Sequence, residues 1–227
     1  MIRFARPGEN EDPLPVFKLK AAVAALLPLT LLSCAGDGQI TATGITVTRS
    51  ACPAVAIPAA TGDITLFSPE NARTADAIDV VAHITNLRTT CDESGDNIVS
   101  TVNFDIRAQR RDSRGAREVV VPYFGTVVQG GTNVISKSVS RAGLRFADGE
   151  LRASTTGQAT ASVSRAAATL PEDIRRQITR ERKPGDADAA IDPLSDPAVR
   201  EAVRRASFEL LVGFQLTPEQ LAYNATR

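Results

Sequence analysis

Apolar and polar side chains alternate along much of the chain after residue 44. Ile78, Val80, Ala82 and Ile84 alternate with Asp79, Val81, His83 and Thr85, and Val102, Phe104, Ile106 and Ala108 alternate with Thr101, Asn103, Asp105, Arg107 and Gln109. A period of two puts one set on each face of a strand, so each run predicts a strand with one buried face. Between them, Asp92-Glu93-Ser94-Gly95-Asp96-Asn97 is a cluster of turn formers, which makes the pair an antiparallel hairpin. Gly44 to Arg49 and Asp63 to Phe67 are shorter strand candidates, set apart by Pro53, Pro58 and Gly62. Glu118 to Val128 is rich in Val and aromatic residues, Gly130-Gly131 breaks it, and Thr132 to Ser140 resumes. Gly157 to Arg165 carries Ala159, Ala161 and Val163 on one face.

The period changes at Thr169. Thr169-Leu170-Pro171-Glu172 has the spacing of a capping box, Ile174 and Ile178 form a narrow apolar stripe, and Pro184-Gly185 ends the helix this predicts. Asp196-Pro197 predicts a second helix start, an N-cap followed by a first-turn proline, with Val199, Ala202, Val203 and Ala206 on one face. Phe208, Leu210, Val212, Phe214 and Leu216 then alternate as a last strand; the rival is a helix running on from Pro197 to Gln215. Thr217-Pro218-Glu219-Gln220 predicts a short, capped C-terminal helix. Seven or eight strands at this spacing predict a mainly β fold, an immunoglobulin/fibronectin-like antiparallel β-sandwich. Residues 44–227 make one domain, with a helical excursion at 170–206 inserted before the last strand; strand order stays open.

Ahead of this body, Ala21 to Leu32 reads AAVAALLPLTLL and follows Lys18 and Lys20. Twelve helical residues rise about 18 Å, short of the ~30 Å hydrocarbon core, so a secretory signal with a charged start fits better than a spanning helix. Leu31, Leu32, Ser33 and Cys34 come next. The segment resembles the lipobox of bacterial lipoproteins, an apolar residue, a small or apolar one, a small one and then Cys, although Leu32 is bulkier than usual. The resemblance implies that 1–33 is a signal peptide, that Cys34 carries lipid as the new N-terminus, and that 34–43 is a tether. It covers about fifteen residues. Its sorting rule reads Ala35, where Asp would retain the protein at the inner membrane, as favouring the outer membrane with the domain facing the periplasm. The body is then expected to resemble an envelope lipoprotein with an immunoglobulin-like sandwich.

Assigning Cys34 to lipid leaves Cys52 and Cys91, the other two of the three cysteines. An oxidising compartment favours a Cys52–Cys91 bridge between them. The single histidine gives them little chance of forming a zinc site.

Composition adds constraints. The chain is 43% apolar and lacks Trp, so its core draws mainly on Val, Ile, Leu and Ala. Without residues 1–33, which hold four basic and three acidic side chains, 22 of the 26 basic and 23 of the 26 acidic residues remain. That balance gives no overall pull toward nucleic acid or anionic lipid. His83 shares a strand face with Asp79 and Thr85, a setting for a base but more simply a surface histidine. No Gly-x-Ser-x-Gly elbow, P-loop, dinucleotide fingerprint or His-based zinc motif accompanies it. The acidic groups Asp186, Asp188, Asp192, Asp196 and Asp92, Glu93, Asp96 lack EF-hand spacing and read as solvated turns. Arg175, Arg176, Arg180 and Arg204 mark a candidate partner surface, although residues 171–206 balance eight basic against eight acidic side chains.

These observations predict a non-catalytic envelope lipoprotein that binds or scaffolds a protein or cell-wall partner, held to the membrane through Cys34, with no cofactor, no metal and no nucleic acid. The alternatives are a periplasmic hydrolase using carboxylates such as Asp79 and Asp105, and a small-ligand binding lipoprotein of a transport system. Glu9, Glu11 and Asp12 are foreign to a signal start, which places the working start near Val16. Sequencing the unprocessed precursor is expected to begin there; recovery of residues 1–15 rejects it.

Overall fold

A computed structural model describes residues 38–41, 44–47, 50–180, 182, 185–188 and 190–226. The signal segment, Cys34 and Lys183 lie outside the described residues. The strands are β1 (Gly38–Thr41), β2 (Gly44–Val47), β3 (Ala54–Ala56), β4 (Asp63–Phe67), β5 (Ile78–Asp92), β6 (Asn97–Arg110), β7 (Arg117–Gln129), β8 (Asn133–Phe146), β9 (Arg152–Ser164) and β10 (Phe208–Phe214). The helices are α1 (Arg165–Ala168), α2 (Glu172–Thr179), α3 (Pro197–Arg205) and α4 (Pro218–Thr226).

Two four-stranded sheets form the β-sandwich that the alternation implies. The first runs β3-β10-β7-β8 and the second β4-β5-β6-β9, the order the sequence left open. All pairings are antiparallel except β3 with β10. β1 and β2 form a separate hairpin. The predicted helical excursion does link β9 to β10, and Phe208 opens a strand rather than continuing α3.

The alternating sets lie where the period puts them. Val80, Ala82 and Ile84 on β5 and Ile98, Val102, Phe104 and Ile106 on β6 are buried against Val121, Tyr123 and Val127 on β7 and Leu210, Val212 and Phe214 on β10. Phe104 meets Tyr123 edge-on at 5.3 Å between centroids, joining the sheets through the core. Gly157 on β9 makes room for that ring: a Cβ there would fall 2.3 Å from Phe104 Cε2. The β7–β8 hairpin closes through Gly130 and Gly131, with φ of +61° and +77°, a region glycine enters without steric penalty.

Two helix ends differ from expectation. Thr169 does not cap α2; its hydroxyl donates back to the Arg165 carbonyl at 2.7 Å, and Pro171 occupies the N-cap. The four-residue α1 that follows β9 takes up Thr169, so the box spacing belongs to a different turn. α2 also ends at Thr179, ahead of Pro184-Gly185. The other caps form as read. Asp196 accepts from Ala198 N at 2.8 Å. Thr217 and Gln220 bond reciprocally, N–H to Oε1 at 2.9 Å and N–H to Oγ1 at 3.2 Å.

Among the described residues the largest fully buried side chain is Arg110, at the end of β6. Its guanidinium donates to four carbonyls: Gly115 (2.7 Å) and Ser113 in the β6–β7 connection, and Ala147 (2.9 Å) and Glu150 (2.7 Å) in the β8–β9 turn. It also stands 5.2 Å from the Phe146 ring centroid. Alternation alone assigns position 110 to the core face, because 98, 102, 104, 106 and 108 precede it there. A charge at such a position holds only when its donors are satisfied. Arg110→Met keeps the stem and removes the donors; urea unfolding is expected to show a loss of about 2–4 kcal/mol, and an unchanged midpoint counts against the cage.

Candidate interaction surface

The side chains singled out from the sequence fall into separate places. Cys52 precedes β3 in the first sheet and Cys91 lies near the end of β5 in the second, and the two form a disulfide with a Cα–Cα distance of 6.3 Å. The bridge therefore crosses between sheets. Glu93 lies beside it and accepts from Ser50 Oγ at 3.0 Å. Its carboxylate and the two sulfurs gather within 4.8 Å, but both thiols are consumed by the bridge and offer no thiolate to a metal.

Asp79 and Asp105, the pair considered for hydrolysis, are not brought together. Asp105 pairs in register with Thr85, six residues along β5 from Asp79, about 20 Å at roughly 3.3 Å per residue. Each also has its own cation. Arg117 donates to both oxygens of Asp79 at 2.6 and 3.0 Å. Arg88 donates to Asp105 at 2.9 Å, and Asn86 donates to its other oxygen. The Arg88 bond, with that from Asn86, holds the Asp105 carboxyl below the usual aspartate range. A general acid near neutrality needs the opposite shift. His83 is exposed, with Asp63 and Arg107 as its register neighbours.

The four arginines of the candidate partner surface are also dispersed. Arg175 forms an ion pair with Glu172 at 2.6 Å and lines a groove of about 640 Å³ with Ala51, Leu170, Ile178, Leu194 and Val203. Arg176 and Arg180 face a different cleft, where Arg180 pairs with Asp188. Arg204 pairs with Glu201 at 2.8 Å, and its stem closes over Gly130. The Arg204 hydrogen bond depresses the Glu201 carboxyl in turn. Among the described residues of this segment, Arg175, Arg180, Arg182, Arg204 and Arg205 thus form ion pairs with Glu172, Asp188 and Glu201.

A surface that the sequence reading passed over lies on β8. In the sheet, Ala142, Leu144 and Phe146 face the core and are buried, while every residue from Asn133 to Arg141 is exposed. Continuing that parity, Ser136, Ser138 and Ser140 take the inner positions and Lys137, Val139 and Arg141 the outer ones. Ser138 Oγ donates to the Gly125 carbonyl at 3.3 Å. Lys137 Nζ stands 5.0 Å from the Phe124 ring centroid on β7. Val134, Ile135 and Val139 are 59%, 51% and 55% exposed. β8 is the end strand of its sheet, so among the described residues one side of its backbone has no strand neighbour. With Val120, 52% exposed on β7, these side chains give the outer face of the first sheet an apolar and basic character. The outer face of the second sheet carries Thr101, Asn103, Asp105 and Arg107 on β6 beside Thr160, Gln158, Thr156 and Ser154 on β9. The signal in the sequence was serine at alternate positions of a strand, which inverts the usual pattern of apolar inside and polar outside.

Among the described residues, no helix is long and apolar enough to cross a membrane. Replacing both Cys52 and Cys91 by Ser is expected to lower stability by about 3–4 kcal/mol, from a closed loop of 39 residues. Equal unfolding midpoints for oxidised and reduced protein reject that contribution. No protein-family model, curated protein or solved structure matches the chain.

Proposed function

We infer that the chain is an exported, lipid-anchored envelope protein whose β-sandwich acts as a non-catalytic binding or scaffolding module in the periplasm, held at the outer membrane through Cys34. The observation that carries this reading is the Cys52–Cys91 bridge. Disulfides persist in oxidising compartments. Forming one here uses both cysteines of the body and leaves Cys34, at the end of an apolar segment, for acylation. Two or more acyl chains anchor durably at ~0.8 kcal/mol per buried methylene. A binding role draws support from the surface: Asp79 and Asp105 stand apart, each with an arginine, while β8 offers apolar and cationic side chains beside an open strand edge.

Fractionation of cells expressing the wild type is expected to find the protein with outer membranes. Cys34→Ala is expected to move it to the soluble periplasmic fraction or to leave it as unprocessed precursor. Equal membrane association of Cys34→Ala and wild type, with equal processing, overturns the anchor.

A further inference from the structure

We propose that the open edge of β8, along Asn133–Arg141, receives an extended segment of a partner protein that carries acidic side chains at alternate positions, the two pairing as neighbouring strands. This rests on reading the sandwich as a binding module, but not on the lipid anchor.

Four strands end the two sheets, and three of them are unsuited to pairing. β3 has three residues. β4 has five, and α4 closes on it: Asn224 Nδ2 donates to the Ala60 and Asp63 carbonyls at 2.9 and 2.8 Å, and Tyr223 meets Phe67 edge-on. β9 is long, but from Ser154 to Ser162 its outward row is Ser, Thr and Gln, and its one cation, Arg152, stands at the first position of the strand, so no charged or large apolar side chain along the row would select a partner. β8 combines length, exposure on both faces, apolar side chains and cations. A strand added there would gain main-chain hydrogen bonds whatever its sequence, and its side chains would set register and specificity.

The cations decide the kind of strand. Lys137 and Arg141 lie two same-face positions apart, with Val139 between them, and among the described residues no carboxylate pairs with either. A second copy of this chain would pair antiparallel about a two-fold axis. With the axis at Val139, Lys137 falls opposite Arg141 of the other copy; at Lys137 or Arg141, each cation falls opposite itself; at Ser138 or Ser140, cations become diagonal neighbours. Like charges in these positions oppose pairing, which is also how edge lysines prevent uncontrolled association. Acidic residues opposite Lys137 and Arg141 turn each of these repulsions into an attraction, and an apolar residue between them packs on Val139. The register shift near Val134 and Ile135 marks the limit of regular pairing, so Ser136–Arg141 is the recognition stretch.

The test uses the full chain and a fluorescent peptide of alternating valine and glutamate, with a valine–lysine peptide as counterpart. The glutamate peptide is expected to bind at least about tenfold more tightly in anisotropy titrations and to slow amide exchange within Asn133–Arg141. Charge reversal by Lys137→Glu with Arg141→Glu, both exposed, is expected to exchange the preference while lowering the melting temperature by no more than the loss of the Lys137–Phe124 contact accounts for. Equal affinity for the two peptides, no binding, or protection confined to other strands overturns the proposal. Concentration-dependent dimers that protect β8 without peptide overturn it in favour of a second copy. Binding to phosphatidylglycerol vesicles with β8 amides unprotected, and no peptide preference, overturns it in favour of a membrane surface. Peptide binding by Cys34→Ala at wild-type affinity keeps this result separate from any failure of the anchor.

Discussion

The sandwich depends on a cation held by four carbonyls. The chain crosses from the second sheet to the first between β6 and β7, and back again between β8 and β9. Arg110 accepts both crossings, with Ser113 and Gly115 from one and Ala147 and Glu150 from the other. Without those donors, two loops would have to turn at the same end of the sandwich with carbonyls competing for water. With them, the loops converge on one planar group whose five N–H bonds point in fixed directions. Arg suits this site better than Lys because a fork reaches several acceptors and an ammonium presents a single point.

The opposite end is held by covalent chemistry. Cys91 lies near the far end of β5, and Cys52 enters β3 beside the start of β10. The helical excursion also begins and ends here, from Ser164 to Phe208, so that α3 lies against the β7–β8 turn: Gly130 N donates to the Ser207 carbonyl at 2.9 Å, and Gln129 Nε2 to the Arg205 carbonyl at 2.7 Å. One end of the sandwich is thus set by a polar cage and the other by a disulfide and a helical cover. Ser50 and Ala51, ahead of β3, lie at this covered end, in the groove that Leu170, Leu194 and Val203 line.

Strand period carried most of the fold, and its failures were local. The core faces of β5, β6 and β10 follow from alternation because each strand buries one face against an opposing sheet. β3 escaped notice because three residues, Ala-Val-Ala, hold too little pattern to distinguish from the proline-rich connection around them. The Thr169 box failed because short-range hydroxyl bonds compete, and the turn after β9 took the hydroxyl first. Arg110 was left out of the expected core because hydropathy counts a charge as surface, although its place in the alternation of β6 falls on the buried face. The basic stretch on α2 and α3 read as one surface only because sequence spacing ignores which carboxylate each arginine will meet. The disulfide was legible by counting thiols once Cys34 was assigned elsewhere.

The candidate edge on β8 was hidden for a more general reason. Hydrophobic alternation identifies the face a strand buries, and from Asn133 to Arg141 β8 buries neither face. Its inner row is serine, which offers little apolar area to bury; the close approach of the sheets falls instead between β7 and β9, where a Cβ on Gly125 would lie 2.7 Å from Ala159 Cβ. The core therefore thins along this part of β8, and its contribution to holding the strand falls with the apolar area buried. The strand is kept in the sheet by main-chain pairing to β7 and by Lys137 over Phe124. A strand held mainly by backbone bonds on one side has equivalent groups to offer on the other. The small polar inner residues that give β8 little core to bury thus leave it able to accept a neighbour, with Lys137 and Arg141 restricting which neighbour that is.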